Sequence, residues 1–365
     1  MNSSGVPESP SAAVRSDGAA TTARTEPSAT SRVDARPEDT TTAGERHPGE
    51  QHAGGQHAAD HGDAAADAGV GPLHGSPSRR SRAMAWVAVT KPRIIELLLV
   101  TTVPTMVVAA QGWPGWGLVV GTVVGGTLSA GGANAINNWY DHDIDRLMAR
   151  TAQRPTARDT VTPRQALGLG IVLGIAGFVV LALTANLLAA SLATFGLLFY
   201  VFVYTMTLKR RTPQAVVIGG IAGCMPVLTG WAAVGAPFSD PTPWLLFGLL
   251  FWWQPPHFWA LAMKYRDDYA RAGLPMMPVS WGADETTRQI LLNSWLMLPL
   301  VVLTIVGAPT TWVFGVPALG LTAVWLLLAH KLRRTRTVAD AMRLFHFSTV
   351  YLAALFILAA IDAVI

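Results

Sequence analysis

An all-α, polytopic membrane protein is the fold class this sequence predicts, and three observations predict it. Apolar stretches of bilayer length recur from Ile94 to the C-terminus. Charged residues make up 14% of the chain, where a soluble domain carries about a quarter. The basic residues of the apolar part crowd into alternate loops.

Residues 1–82 stand apart. They are rich in Ala, Ser, Thr, Gly, Pro and His and nearly free of large apolar side chains. Such a segment cannot bury enough surface to offset its chain entropy, so it reads as a disordered low-complexity tail ahead of one domain at 83–365. It lacks the apolar stretch of a signal peptide. His47, His52, His57, His61 and His74 lie in it. A biased linker, or a start upstream of the true one at Met84, accounts for them more simply than a metal-binding tail.

Apolar segments then follow near 94–111, 117–138, 165–184, 187–206, 215–235, 242–263, 289–308, 311–330 and 344–364. They give about nine helices of the roughly 20 residues a bilayer requires. Backbone groups in lipid must be satisfied internally, and segments this long suit helices rather than barrel strands. Loops after every second helix carry Arg146, Arg150, Arg154, Arg158 and Arg164; Lys209, Arg210 and Arg211; Lys264, Arg266, Arg271 and Arg288; and Lys331, Arg333, Arg334 and Arg336. The intervening loops at 111–116, 185–186, 236–241 and 307–310 contain no Lys or Arg. Positively charged loops stay inside, which puts the N-terminus and the rich loops on the cytoplasmic side of the inner membrane. That topology explains the basic residues without any nucleic-acid partner. Cys224 is the only cysteine; no intrachain disulfide is possible, and its apolar surroundings make it a small buried residue.

The second segment ends in NNWYDHDIDRLMARTAQRP at 137–155. Asn137, Asp141 and Asp145 are spaced i, i+4, i+8, so a continuing helix puts all three on one face, with Asp143 pointing elsewhere. Asp267 and Asp268 lie at the cytoplasmic end of the sixth segment, on the same side of the membrane. An isolated aspartate at a helix end is ordinarily solvated surface; two acidic clusters on one side argue for a shared site. Carboxylates with an amide suit Mg²⁺, which takes oxygen ligands and shares them with substrate phosphates. Arg150, Arg154, Lys209, Arg210 and Arg266 supply phosphate contacts. Such a rim would neutralise a departing diphosphate. Trp139, Tyr140, Trp252, Trp253, Phe258, Trp259 and Tyr265 are candidates to face the allylic cation left behind.

NxxxDxxxD followed by RTxxRP, met by Asn137, Asp141, Asp145, Arg150, Thr151, Arg154 and Pro155, resembles the first signature of the UbiA-type intramembrane prenyltransferases. TKPRIIELLLVTTVPTM at 90–106, YTMTLKRRTPQAVVIGGIAGCMPVLTGW at 204–231 and WWQPPHFWALAMKYRDDYARAGLPMMPV at 252–279 are similar to the branch that farnesylates protohaem IX. The resemblance covers about 84–365. It implies a UbiA-type bundle that joins the farnesyl group of farnesyl diphosphate to a vinyl group of haem b, giving haem O on the way to haem A. Haem A synthase or the oxidase assembly machinery is the implied associate. The resemblance also implies Mg²⁺ held by Asn137, Asp141, Asp145 and Asp268. Substrate contacts are implied for Arg93, Arg150, Arg154, Lys209, Arg210, His257, Tyr265 and Arg266. The general second motif is DxxxD; here Ala272 stands four residues after Asp268, which fits the DYxxA of the haem branch.

His257 follows Pro255 and Pro256, expected to break the helix and turn the ring inward. Iron ligation, proton removal from the water that quenches the cation, and a buried hydrogen-bonded ring all remain open for it. His142 is expected in solvent, and His330 and His346 in structural roles. Glu96 is expected to pair with Arg93 one turn earlier, because a lone carboxylate in lipid is expensive. Gly219, Gly220 and Gly223 form a close-packing surface; no strand precedes them, so a dinucleotide fingerprint is unsupported. Two rival functions remain. A related prenyltransferase acting on a quinone precursor or a chlorin would carry the same metal motifs. A transporter would place its charges near the midplane, whereas these cluster at one rim.

Overall fold

The structure, a computed structural model, describes residues 79–365, with side chains described for 83–92 and 99–365. The expected tail therefore lies outside the described residues except for 79–82, as do the side chains of Arg93 and Glu96. A helix, α1 (Arg79–Val89), crosses the boundary expected at 82.

The described residues form helices and no strands. After α1 come α2 (Pro92–Ala110), α3 (Trp116–Tyr140), the single turn α4 (His142–Asp145), α5 (Pro163–Thr184) and α6 (Leu187–Leu208). Then follow α7 (Ala215–Val234), α8 (Thr242–Lys264), the short α9 (Arg266–Arg271) and α10 (Met277–Ser280), α11 (Gly282–Trp295), α12 (Met297–Gly307), α13 (Trp312–Thr335) and α14 (Val338–Asp362). Local chemistry sets several starts. Pro92 and Pro163 sit in first turns, where no backbone donor is missed. Thr162 and Gln165 close a reciprocal capping box on α5, and Asn186 caps α6 by accepting from Ala189 N at 2.9 Å.

Seven spans among the described residues are long and apolar enough to cross a membrane: α3, α5, α6, α7, α11 continued by α12, α13 and α14. The expected nine also included α2 and α8. In α2 side chains are described only from Leu99 to Ala110 within the apolar part, and that stretch is apolar; α8 carries the polar stretch Gln254–His257. Contrary to expectation, Pro255 and Pro256 do not break α8, which runs unbroken from Thr242 to Lys264. Gln254 steadies that stretch by donating to Gly220 O at 3.0 Å and Cys224 Sγ at 3.0 Å.

Helices α3 and α5 approach through glycine. A Cβ placed on Gly132 would stand 2.7 Å from Gly170 O and 2.9 Å from Gly174 N, so the two backbones touch with no room for a side chain. Gly220 and Gly223 pack on the Gln254 side chain, the close surface expected there. The largest apolar core joins α7, α8 and α11–α14, with Leu249, Trp259, Ile290, Val301, Phe314, Trp325 and Phe356 fully or almost fully buried. Between this core and the α3–α5 pair a cavity of about 640 Å³ remains.

Candidate active site

The polar end of α3 builds the site. Asn134 and Asn138, one turn apart, donate to Thr90 O at 3.1 Å and Val89 O at 2.6 Å, and so hold the α1–α2 linker against α3. Within that linker Lys91 adopts a left-handed conformation, φ 54°, which costs a non-glycine residue roughly 1–2 kcal/mol. The strained linker delivers Lys91 Nζ to Asn137 Oδ1. Burial holds the Lys91 ammonium well below the usual lysine range, with repulsion from Arg154 and Lys209 adding to it.

The helical register continues across the α3–α4 junction: Asp141 N donates to Asn137 O and Asp145 N to Asp141 O, each at 2.9 Å. Both aspartates are fully buried. Asp141 Oδ2 accepts from Asn137 Nδ2 at 2.7 Å and from Lys209 Nζ. Its Oδ1 lies 3.5 Å from Arg210 Nη2 and has no hydrogen-bond partner. Arg154 Nη1 donates to both oxygens of Asp145, at 2.8 and 2.6 Å. Thr151 Oγ1 donates to Asp145 O at 2.9 Å, tying the RTxxRP segment to the acidic turn. Lys209 arrives from the end of α6, whose residues 199–208 are wound as a π-helix, a winding that recurs at functional sites. There Thr205 Oγ1 accepts from Asn137 Nδ2 at 3.1 Å.

Asp143 points away, as expected. Half exposed, it takes both Arg210 Nη atoms, at 2.8 and 2.7 Å, and that guanidinium holds its carboxyl below the usual aspartate range. Its stabilising effect is present above the ordinary aspartate pKa and fades as acid protonates the folded state. Asp143→Asn is expected to cost no more than about 1 kcal/mol, because exposed pairs are well screened, and to leave turnover within a few-fold. Melting curves and single-turnover rates check this.

The second acidic segment packs on the first. Ile144 and Met148 share an apolar cluster with Ala262, Tyr269, Leu274 and Met276. The Arg150 guanidinium lies over the rings of Tyr265 and Tyr269, at 5.1 and 4.7 Å. Asp268 is almost buried and paired with Arg271, and Asp267 has no ion pair among the described residues. Arg266 Nε donates to Pro278 O at 3.1 Å, a loop-holding contact, and the residue does not line the cavity.

The cavity is lined at one end by Lys91, Asn137, Arg150, Arg154 and Lys209, and elsewhere by Tyr200, Tyr204, Trp253, His257, Phe258 and Tyr269. Arg210, Tyr265 and Asp268 do not line it. Of the aromatics expected to face a cation, only Trp253 and Phe258 line the cavity. Trp259 is core, Trp139 packs with Val89 and Val161, and Tyr140 lies 4.8 Å under Arg210. Sequence reasoning passed over Tyr200, Tyr204 and Tyr269, and gave Lys91 only an anchoring role; a lysine just ahead of an apolar helix was the available signal.

Among the described residues no three acidic, histidine or cysteine side chains gather as a metal cage, so Asp268 does not complete a set with Asp141 and Asp145. The donor chemistry nonetheless suits a hard cation. Two buried carboxylates stand one helical turn apart beside an amide, and Asp141 Oδ1 keeps an unclaimed lone pair.

Comparison with known proteins agrees with this architecture. The UbiA prenyltransferase family matches residues 98–356. Protoheme IX farnesyltransferase 1 of Saccharopolyspora erythraea is 50% identical over 290 residues, spanning 79% of this chain and 92% of that protein. Protoheme IX farnesyltransferase of Streptomyces coelicolor is 49% identical over 297 residues, spanning 79% and 94%. Among solved structures, a UbiA homologue from Archaeoglobus fulgidus bound to DMAPP and Mg²⁺ superposes with a TM-score of 0.61 at 16% identity, covering 76% of this chain and 98% of that one. The apo UbiA homologue from Aeropyrum pernix K1 gives 0.59 at 19%, covering 74% and 96%.

Proposed function

The chain belongs to the UbiA prenyltransferase family, and from that premise we infer that it transfers the farnesyl group of farnesyl diphosphate to a vinyl group of haem b, with water, giving haem O and diphosphate. Relatives of about half-identical sequence carry the name of that reaction. The single observation that carries the mechanism is the row of cations at one end of an otherwise apolar-walled cavity. Four basic side chains with no anion among them except buried Asp141 and Asp145 form a receptor for a diphosphate, whose arrival would give the buried Lys91 ammonium a compensating negative charge.

In this reading the isoprenoid chain lies along the tyrosine-lined wall. Arg150, Arg154, Lys209 and Lys91 grip the diphosphate, Arg by paired hydrogen bonds. Asn137, Asp141 and Asp145 would hold Mg²⁺, which would supply charge neutralisation at the leaving diphosphate. Lys209 and Arg154 are bound to those carboxylates and would be free to turn toward phosphate oxygens were the carboxylates given to the ion. The Tyr200 and Tyr204 rings, stacked 5.3 Å apart, face the allylic carbon and exclude water until the vinyl carbon attacks. Arg210 holds the acidic turn in place and Tyr265 supports Arg150. The basic loops support a mouth on the cytoplasmic side of the inner membrane, where haem A synthase would take up the product.

Expression in a host without the activity, followed by mass analysis of extracted haem, tests the reaction. Haem O is expected; prenylated 4-hydroxybenzoate with unchanged haem would favour a quinone-precursor enzyme. Orientation is checked on a Cys224→Ala background, where the only native cysteine is gone. A cysteine at Arg334 is expected to react with impermeant reagent only after cells are opened, and one at Thr310 in intact cells.

A further inference from the structure

A second built feature of the cavity wall differs in character from the cationic cluster. His257, the only histidine among the described residues that lines the cavity, is clamped between two aromatic rings. Trp253 stacks on one face at 4.2 Å between centroids and Phe345 on the other at 4.5 Å. Its Nδ1 contacts Ser348 Oγ, and Ser348 Oγ contacts Phe345 O. Trp253 Nε1 in turn donates to Ser348 O at 2.7 Å. Two helices, α8 and α14, are thus locked around one imidazole.

The proton inventory fixes the tautomer. Phe345 O can only accept, so the single Ser348 hydroxyl proton is committed to it. The remaining contact requires Nδ1 to be the donor, toward a Ser348 lone pair. Nε2 is then unprotonated, and it has no hydrogen-bond partner among the described residues. A ring held in plane by stacking, fixed as a tautomer by a donor contact on one nitrogen and open on the other, has the form of a prepared metal ligand.

We propose that Ser348 is a positioning residue that presents the His257 Nε2 lone pair to the iron of the acceptor haem, anchoring the porphyrin against the α8–α14 wall of the cavity. The proposal rests on the reading that haem is the acceptor substrate. Ligation here serves binding and orientation: the iron changes neither oxidation state nor bonds in the prenyl transfer.

The test is titration of the purified protein with ferric haem, followed by absorption and electron paramagnetic resonance. The wild type is expected to show a histidine-ligated haem. His257→Ala is expected to lose that signature and regain it with added imidazole. Ser348→Ala, which frees the ring to rotate and to change tautomer, is expected to bind haem about tenfold or more weakly, the scale of losing a ligand's supporting hydrogen bond. Both variants should bind farnesyl diphosphate with Mg²⁺ as the wild type does, which establishes that they are folded. A second measurement needs no variant: in wild type with ¹⁵N-labelled histidine, one ring nitrogen should couple to the ferric centre. Unchanged spectra in His257→Ala, unchanged haem affinity in Ser348→Ala, or no coupled nitrogen would each overturn the proposal. A wild type that makes haem O yet fails these spectroscopic tests sinks the ligation alone. One that neither binds haem nor makes haem O sinks the function reading with it.

Discussion

Asp141→Asn is expected to abolish measurable prenyl transfer while the protein still purifies folded in detergent. Asp141 is the most heavily engaged anion in the site, fully buried and contacted by Asn137, Lys209 and Arg210. The amide keeps the size and one acceptor, so Lys209 retains a partner, but the charge that would bind Mg²⁺ is gone. Removing a single preorganised electrostatic group from an active site costs about 10²–10³ in rate; a metal-holding carboxylate belongs at or beyond the upper end. Stability is expected to fall by less than the roughly 3–5 kcal/mol of a fully orphaned buried charge. Single-turnover assays with farnesyl diphosphate and haem, beside melting curves, separate the two effects. The contrast with Asp143→Asn, two residues away and outward-facing, makes the result specific to the buried face.

Gly132→Val is expected to prevent recovery of folded protein. The added carbon meets backbone on both sides, Gly170 O at 2.7 Å and Gly174 N at 2.9 Å, and backbone cannot rotate aside. Overpacking costs roughly 1–3 kcal/mol where side chains can adjust; here α3 and α5 must separate, and the loss should lie above that range. Because α3 also carries Asn134, Asn137 and Asn138, any separation moves the acidic turn away from Lys91 and Lys209. Size-exclusion profiles in detergent should show aggregate for Gly132→Val. Gly126→Val, where an added carbon meets nothing within 4 Å, should elute as wild type.

Much of this was legible in the sequence, for identifiable reasons. Apolar length locates helices because lipid demands internal hydrogen bonding. The spacing of Asn137, Asp141 and Asp145 predicted a common face, and the backbone bonds across Asp141 keep it. What failed needed knowledge of neighbours. Trp139, Trp252 and Trp259 looked as ready as Trp253 to face a cation, and which face of a helix meets a cavity depends on packing between distant segments. Arg266 looked like a phosphate contact, yet it holds Pro278 O and does not line the cavity. The proline pair promised a break in α8 that the Gln254 contacts with α7 make unnecessary. The His257 partner Ser348 lies 91 residues away, with nothing in its local sequence to single it out.

A structure with Mg²⁺ and a non-hydrolysable farnesyl diphosphate analogue tests the central claim most directly. The account predicts the diphosphate among Lys91, Arg150, Arg154 and Lys209, the ion on Asp141 and Asp145, and the isoprenoid running past Tyr200 and Tyr204. A diphosphate seated instead beside Trp253 and His257, or bound with the ion remote from both aspartates, would contradict it.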